Sequence, residues 1–99
     1  MKYFVYALYS QRCDKIYIGQ TSDISKRLSY HNFETVNSWT SRYRPWELIY
    51  SEPCDTRADA MKREKQLKTA KGRQFIWKMV EQSVMRGGVR RPADSSSDS

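Results

Sequence analysis

The apolar positions of this chain change their spacing along its length, and each change marks an element. From Tyr3 to Ser10 the run is rich in β-branched and aromatic residues, Gln11-Arg12-Cys13-Asp14 is polar, and the β pattern resumes over 15–20. This predicts a hairpin of two short antiparallel strands. Thr21-Ser22-Asp23 then offers capping side chains ahead of Ile24, Leu28 and His31, which fall at i, i+4 and i+7, so a short helix is expected over 24–32. Between 33 and 45 the chain is polar and aromatic without a period. Pro45, which cannot donate to a ladder, marks the start of a third strand over 46–51 that closes at Glu52-Pro53. Thr56 can cap a second helix with Ala60, Met61, Glu64 and Leu67 on one face, breaking near Gly72. A third helix from 73 to about 85 places Ile76, Trp77, Val80 and Val84 on one stripe and stops at Gly87-Gly88. The tail over 86–99, with its arginines, proline and Asp-Ser repeats, is too polar to offset the entropy of ordering and is expected to be disordered.

Composition narrows the picture. The 99 residues have room for one domain, expected over 1–85. Mean hydropathy is low at −0.86, yet 13% aromatics at regular spacing separate the chain from a disordered polyelectrolyte, so a small core should form. No run approaches the roughly 18 apolar residues of a membrane span, and no signal-peptide pattern opens the chain, so a soluble, cytoplasmic protein that does not meet the membrane is expected. Cys13 and Cys54 lack a cluster of Cys and His partners, which argues for two reduced thiols and against a zinc site. The net charge of +7 is unevenly placed: residues 57–91 hold eleven Lys and Arg against Asp59, Glu64 and Glu81, while the rest is close to neutral. Lys62, Arg63, Lys65, Lys68, Lys71 and Arg73 would each neutralise a phosphate, pointing to a polyanionic partner, nucleic acid first. The alternative is a solvated helix face.

Several side chains could carry chemistry. Glu64 sits on the apolar face of its helix, where an unpaired carboxylate is costly, so it needs a cation. A metal completed by a phosphodiester is one solution, and an ion pair with Arg27 or a helix lysine is the other. Arg27 and His31 are four apart on the first helix, a guanidinium that can fork onto phosphate beside an imidazole that titrates near neutrality. A His at a helix end also serves as a partner of the C-terminal dipole. Tyr6 and Tyr17 would lie close across the hairpin with their phenols on one face, as chemistry or as plain aromatic packing. Gly19, inside a strand, marks a close approach by another backbone or a ligand. Trp39, Trp46 and Trp77 are core or rim residues, or a docking surface.

Taken jointly, Phe4-Val5-Tyr6, Tyr17-Ile18-Gly19-Gln20-Thr21, Asp23 to Leu28 with His31-Asn32, and Ala60 to Lys68 closely resemble the GIY-YIG nuclease superfamily, in particular its small stand-alone bacterial branch, over about residues 2–80. The resemblance implies an α/β (α+β) domain with a small three-stranded antiparallel sheet flanked by helices. It also implies cleavage of DNA phosphodiesters with Mg²⁺ or Mn²⁺, in repair or recombination, without a small-molecule cofactor. By the same resemblance Tyr6 and Tyr17 line the active site, Arg27 holds the scissile phosphate, His31 assists proton transfer and Glu64 is the single carboxylate metal ligand. Gln20 stands where similar repair nucleases carry a lysine, a cation that Lys15 would supply, and no added DNA-recognition domain is expected. Lys15, Lys62, Lys65, Lys68, Lys71 and Arg73 are the expected nucleic-acid contacts. Two functions follow: a metal-dependent endonuclease on these five site residues, or a non-catalytic DNA- or RNA-binding module on the same scaffold.

Overall fold

The computed structural model of the chain describes residues 2–34 and 39–85. Its centre is β1 (Tyr3–Ser10), the middle strand of an antiparallel sheet ordered β2-β1-β3, with β2 at Lys15–Thr21 and β3 at Glu47–Cys54. The β1–β2 turn is closed by Asp14, which takes the left-handed conformation that Asp tolerates (φ 54°) and accepts a 2.7 Å hydrogen bond from the Tyr9 hydroxyl. A middle strand covered on both faces must be apolar on both, and every residue from Val5 to Ser10 is buried.

The two faces of the sheet hold separate clusters. Val5, Ala7, Tyr9, Ile16 and Ile18 face α2 (Arg57–Leu67) and α3 (Ala70–Met85), packing on Ala60, Leu67, Ile76 and Val80. On the opposite face Tyr6, Leu8 and Trp46 meet Ile24 and Leu28 of α1 (Ile24–Ser29), together with Tyr17 and Tyr43. Asp23 caps α1 by accepting from the Lys26 N–H at 3.1 Å, and Thr56 caps α2 by accepting from the Asp59 N–H at 3.1 Å, as their side chains predict. Arg63 of α2 donates to Glu52 of β3 at 3.1 Å, and the Tyr50 hydroxyl donates to the same carboxylate oxygen at 2.6 Å, which pulls the Glu52 carboxyl below its usual range and ties helix to sheet.

Several boundaries differ from the sequence reading. α1 ends at Ser29 and the helical path continues over Tyr30–Glu34 as a wider π turn, a rare form that concentrates at functional sites. β3 starts after Trp46, which is buried ahead of the strand, and runs through Pro53 to Cys54, because an edge strand tolerates a residue whose N–H the ladder does not need. The break between α2 and α3 falls at Lys68 and Thr69, not near Gly72. There the Thr69 hydroxyl donates to the Gln66 carbonyl at 2.6 Å and accepts from the Gly72 N–H at 3.2 Å, so one side chain closes one helix and caps the next. Met61, expected on the buried face of α2, is half exposed, and only Ala60 and Leu67 of that helix are buried. The side chain of Val84 and the tail over 86–99 with its Gly87-Gly88 stop lie outside the described residues. Cys13 and Cys54 are free thiols, and among the described residues no helix is long and apolar enough to cross a membrane.

Gly72 is a packing glycine inside the first turn of α3: a Cβ there would run into the Gln66 carbonyl oxygen and the Leu67 backbone. We expect Gly72→Ala to lower the unfolding free energy by about 1–3 kcal/mol, the usual cost of overpacking. Urea denaturation checks this, and an unchanged midpoint would contradict the close helix–helix approach.

Candidate active site

Strand register assembles the site's two tyrosines. Tyr6 pairs with Gly19 and Leu8 with Tyr17, so the tyrosines are diagonal neighbours on one face with ring centroids 6.2 Å apart. A Cβ at Gly19 would sit 2.7 Å from the Tyr6 hydroxyl oxygen and 2.9 Å from Cζ. The close approach at this glycine is therefore made by the Tyr6 phenol rather than by a backbone or a ligand, and the ring occupies the room a side chain would take.

His31 comes to the same spot from the π turn. It is 4% exposed, with Nε2 3.2 Å from the Tyr6 hydroxyl and Nδ1 3.2 Å from the Thr40 hydroxyl, and the Tyr17 ring meets it edge-on at 4.8 Å. Both ring nitrogens are thus engaged inside the protein, which rules out the role of a solvated dipole partner. The next residue clamps the neighbouring loop: Asn32 donates to the Trp46 carbonyl at 3.0 Å and accepts from the Trp46 N–H at 2.6 Å. Trp46 in turn donates its indole N–H to the Thr40 carbonyl at 2.8 Å, fixing the segment that presents Thr40 to His31. The wide turn lets His31 and Asn32 serve these adjacent partners together.

Electrostatics join five groups into one cluster. Burial foremost, then the Tyr17 phenol, and further on the Glu64 charge push the Tyr6 hydroxyl well above the ordinary tyrosine value, with Arg27 pulling the other way. Burial, followed by Arg27, holds the His31 imidazole below its usual range. Arg27 is exposed, has its guanidinium 5.5 Å from the Tyr30 ring centroid, and makes no ion pair among the described residues. Glu64 comes from the helix on the other face of the sheet, and its half-buried carboxylate pairs through Oε2 with Lys68 at 2.7 Å. The helix-lysine partner, one of the two solutions the sequence allows, is thus realised.

Such an i,i+4 pair contributes only about 0.3–0.5 kcal/mol, so Lys68 is readily displaced. The second carboxylate oxygen, Oε1, has no partner among the described residues. Among these residues no group of three or more His, Cys, Asp or Glu could hold a metal. A hard divalent cation fits Glu64 in the manner of Mg²⁺, which takes one or two carboxylates and completes its shell with water and phosphate oxygens.

The cations divide into groups. Lys68 and Arg73 line a cavity of about 170 Å³ with Ile16, Tyr17, Ile18 and Trp39, beside the edge strand β2. Lys71 faces a different hollow with Arg63 and Phe75, while Lys62 and Lys65 are exposed on α2. Arg63 and Lys68, expected as free phosphate contacts, are each bonded to a carboxylate, Lys68 lying one turn after Glu64 on the same face of the helix. Lys15 does not stand in for a cation at Gln20: five residues along an extended strand put them on opposite faces about 17 Å apart, and its Nζ lies 5.9 Å from the Tyr43 ring centroid. Thr40 was missed in the sequence, and Asn32 and Trp39 were named there without a role in the site; the signal for this segment was the density of aromatics at Trp39, Tyr43 and Trp46.

A stability profile tests the state of His31. The unfolded chain takes a proton near the ordinary imidazole value of 6.5 that the folded site resists, so stability is full above that pH and falls as pH drops through 6.5 toward the depressed folded value. Thermal melts from about pH 7.5 to about pH 5 should slope downward, and His31→Gln should flatten the slope. Parallel slopes in the two proteins would assign the proton elsewhere.

A family model described as the GIY-YIG catalytic domain matches residues 2–79. The chain is 36% identical over 70 residues to a UPF0213 protein of Staphylococcus saprophyticus, spanning 69% of this chain and 82% of that protein. It is 34% identical over 83 residues to a UPF0213 protein of Staphylococcus epidermidis, spanning 82% of this chain and 96% of that one. The solution NMR structure of a UPF0213 protein from Bacillus halodurans matches 80% of this chain and 85% of its own at 20% identity, with a TM-score of 0.47. Tyr6, Tyr17, Arg27, His31 and Glu64 all fall inside the matched span, and the chain belongs to the GIY-YIG family.

Proposed function

We propose that the protein is a divalent-metal-dependent endonuclease hydrolysing phosphodiester bonds of DNA. The observation that carries this reading is the Tyr6 hydroxyl held 3.2 Å from Nε2 of a buried His31, within a chain of the GIY-YIG family. Hydrolysis needs a group to take a proton from the attacking water and a counter-charge for the transition state. Tyr6 alone is a poor base, because its burial keeps the phenol protonated near neutral pH. His31 stays neutral there, and when its Nδ1–H donates to Thr40, its Nε2 accepts from Tyr6. Tyr6 then relays: its oxygen takes the water proton as its own proton passes to His31. Such acid–base help contributes typically about 10²–10⁴-fold, leaving the rest to charge stabilisation.

Arg27, free of ion pairs among the described residues, can fork onto two phosphate oxygens and counter charge that develops there. Mg²⁺ or Mn²⁺ held on Glu64 supplies, when bound, a Lewis acid for a phosphoryl oxygen. Lys15, Lys62, Lys65, Lys71 and Arg73 neutralise flanking phosphates, with Lys68 joining them once it leaves Glu64. These contacts suit RNA as well, so DNA and RNA strands of one sequence belong in the same assay.

The test incubates the protein with duplex, nicked, branched and single-stranded DNA in Mg²⁺, Mn²⁺ or EDTA. Products that require the metal are expected, and their absence on every substrate would leave a binding module. Glu64→Ala should abolish cleavage while salt-sensitive binding in EDTA stays within about twofold, because binding rests on the lysines and arginines. Full cleavage in that variant would remove Glu64 from the mechanism. Arg27→Lys should lower kcat by about tenfold or more, since an ammonium lacks the planar pair of donors. Equal rates in single-turnover assays would reduce Arg27 to a point charge.

A further inference from the structure

Trp39 is the outward member of an aromatic stack. It is 46% exposed, yet its ring centroid lies 4.8 Å from Tyr43, 5.9 Å from Trp46 and 6.3 Å from Tyr17, the last two at interplanar angles of 32°. Trp46 behind it is buried and pinned through its indole N–H, so the exposed ring rests on a rigid support. Single exposed apolar residues are ordinary, and exposure by itself assigns nothing. What sets Trp39 apart is the groove it walls together with Tyr17, Ile16 and Ile18, whose other lining residues are two cations, Lys68 and Arg73. A third cation, Lys15, reaches over Tyr43 in the same stack. The groove borders the candidate active site, because Tyr17 lines it and has its ring centroid 6.2 Å from that of Tyr6.

The cavity of about 170 Å³ is small beside the ~300–1,000 Å³ of drug-sized pockets, which suits a single planar ring. Aromatic walls with cations around them are what proteins use to hold a base by stacking while neutralising the phosphates on either side of it. A protein side chain on Trp39 would cover the ring and leave Arg73 and Lys15 without an anion, Lys68 alone being paired already, with Glu64. An intact duplex would keep its bases stacked on each other, and drawing one out costs unpairing and unstacking, least where the base is already free.

We propose that Trp39 and its groove bind one unpaired base beside the scissile phosphate, so that the protein selects single-stranded, flapped or branched DNA over continuous duplex; the cutting half of this rests on the nuclease reading, the binding half does not. Trp39 is a specificity residue here, with no part in the proton relay.

The experiment measures binding in EDTA of a thymidine oligonucleotide, a flapped duplex and a blunt duplex of equal phosphate count to the wild type, Trp39→Ala and Trp39→Phe. Loss of one stacked base should weaken the single strand and the flap by roughly 5- to 150-fold in Trp39→Ala, leave the blunt duplex within about twofold, and be largely restored in Trp39→Phe. Equal loss on all three, or none, overturns the proposal. Should Trp39→Ala fail to fold, tryptophan emission decides: the oligonucleotide should quench the wild type and the duplex should not, and the quenching should vanish in Trp39→Phe. Quenching that persists there, or that never occurs, assigns the exposed ring to some other contact and overturns the proposal. If the selectivity holds but no metal yields products, the groove stands and the nuclease reading falls. If cleavage occurs equally on duplex and single strand and ignores Trp39, the reverse follows.

Discussion

The Tyr6 ring lies across the backbone of Gly19, inside a middle strand whose two faces are both covered. Because the ring fills the space of a missing side chain, it cannot swing outward without opening a void, nor can position 19 carry even a methyl group without displacing it. That immobility is what allows a single hydroxyl to be held against His31 at hydrogen-bond distance. The holding then passes outward through the structure: Thr40 fixes His31, Trp46 fixes the Thr40 segment, and Asn32 fixes Trp46. Each link satisfies a polar group that burial would otherwise leave without a partner.

The two faces of the sheet divide the work. The α2–α3 face carries most of the buried aliphatic surface and therefore most of the driving force for folding, while the α1 face carries the aromatic and imidazole chemistry. They meet at the β2 edge, where Lys68 and Arg73 come within reach of Tyr17 and Trp39. Thr69 and Gly72 make that meeting workable, since a sharp break and a backbone-close crossing keep the end of α2 and the start of α3 together.

Neutrality at the centre and charge around it follow from burial. Desolvation keeps the Tyr6 phenol protonated and the His31 imidazole unprotonated, so the innermost pair carries no net charge, whereas Arg27 stays exposed and Glu64 half-buried with its lysine. A neutral pair is free to pass a proton, and the surrounding cations are free to meet a polyanion. The same partition explains why the basic surplus does not form one uniform phosphate-binding face: Arg63 and Lys68 are each bound to a carboxylate, and Lys71 looks into a different hollow from Arg73.

The two hairpin strands, the caps at Asp23 and Thr56, and membership of the family were legible in the sequence, because they depend on periodicity and on side chains whose chemistry is stated by their type. Tertiary structure decided the rest. Whether Pro53 could stay in a strand depended on which strand became an edge, and where α2 broke depended on how closely its end packed on α3. The π turn that turns His31 inward has no local code, since it is imposed by partners 25 and 9 residues away, Tyr6 and Thr40. The partner of Glu64 had to be chosen among several cations at suitable spacing, and the three tryptophans, alike in sequence, were sorted into buried, half-buried and exposed only by what packed against them. Pattern reports what a residue can do, and long-range contact selects which of those options its surroundings leave open.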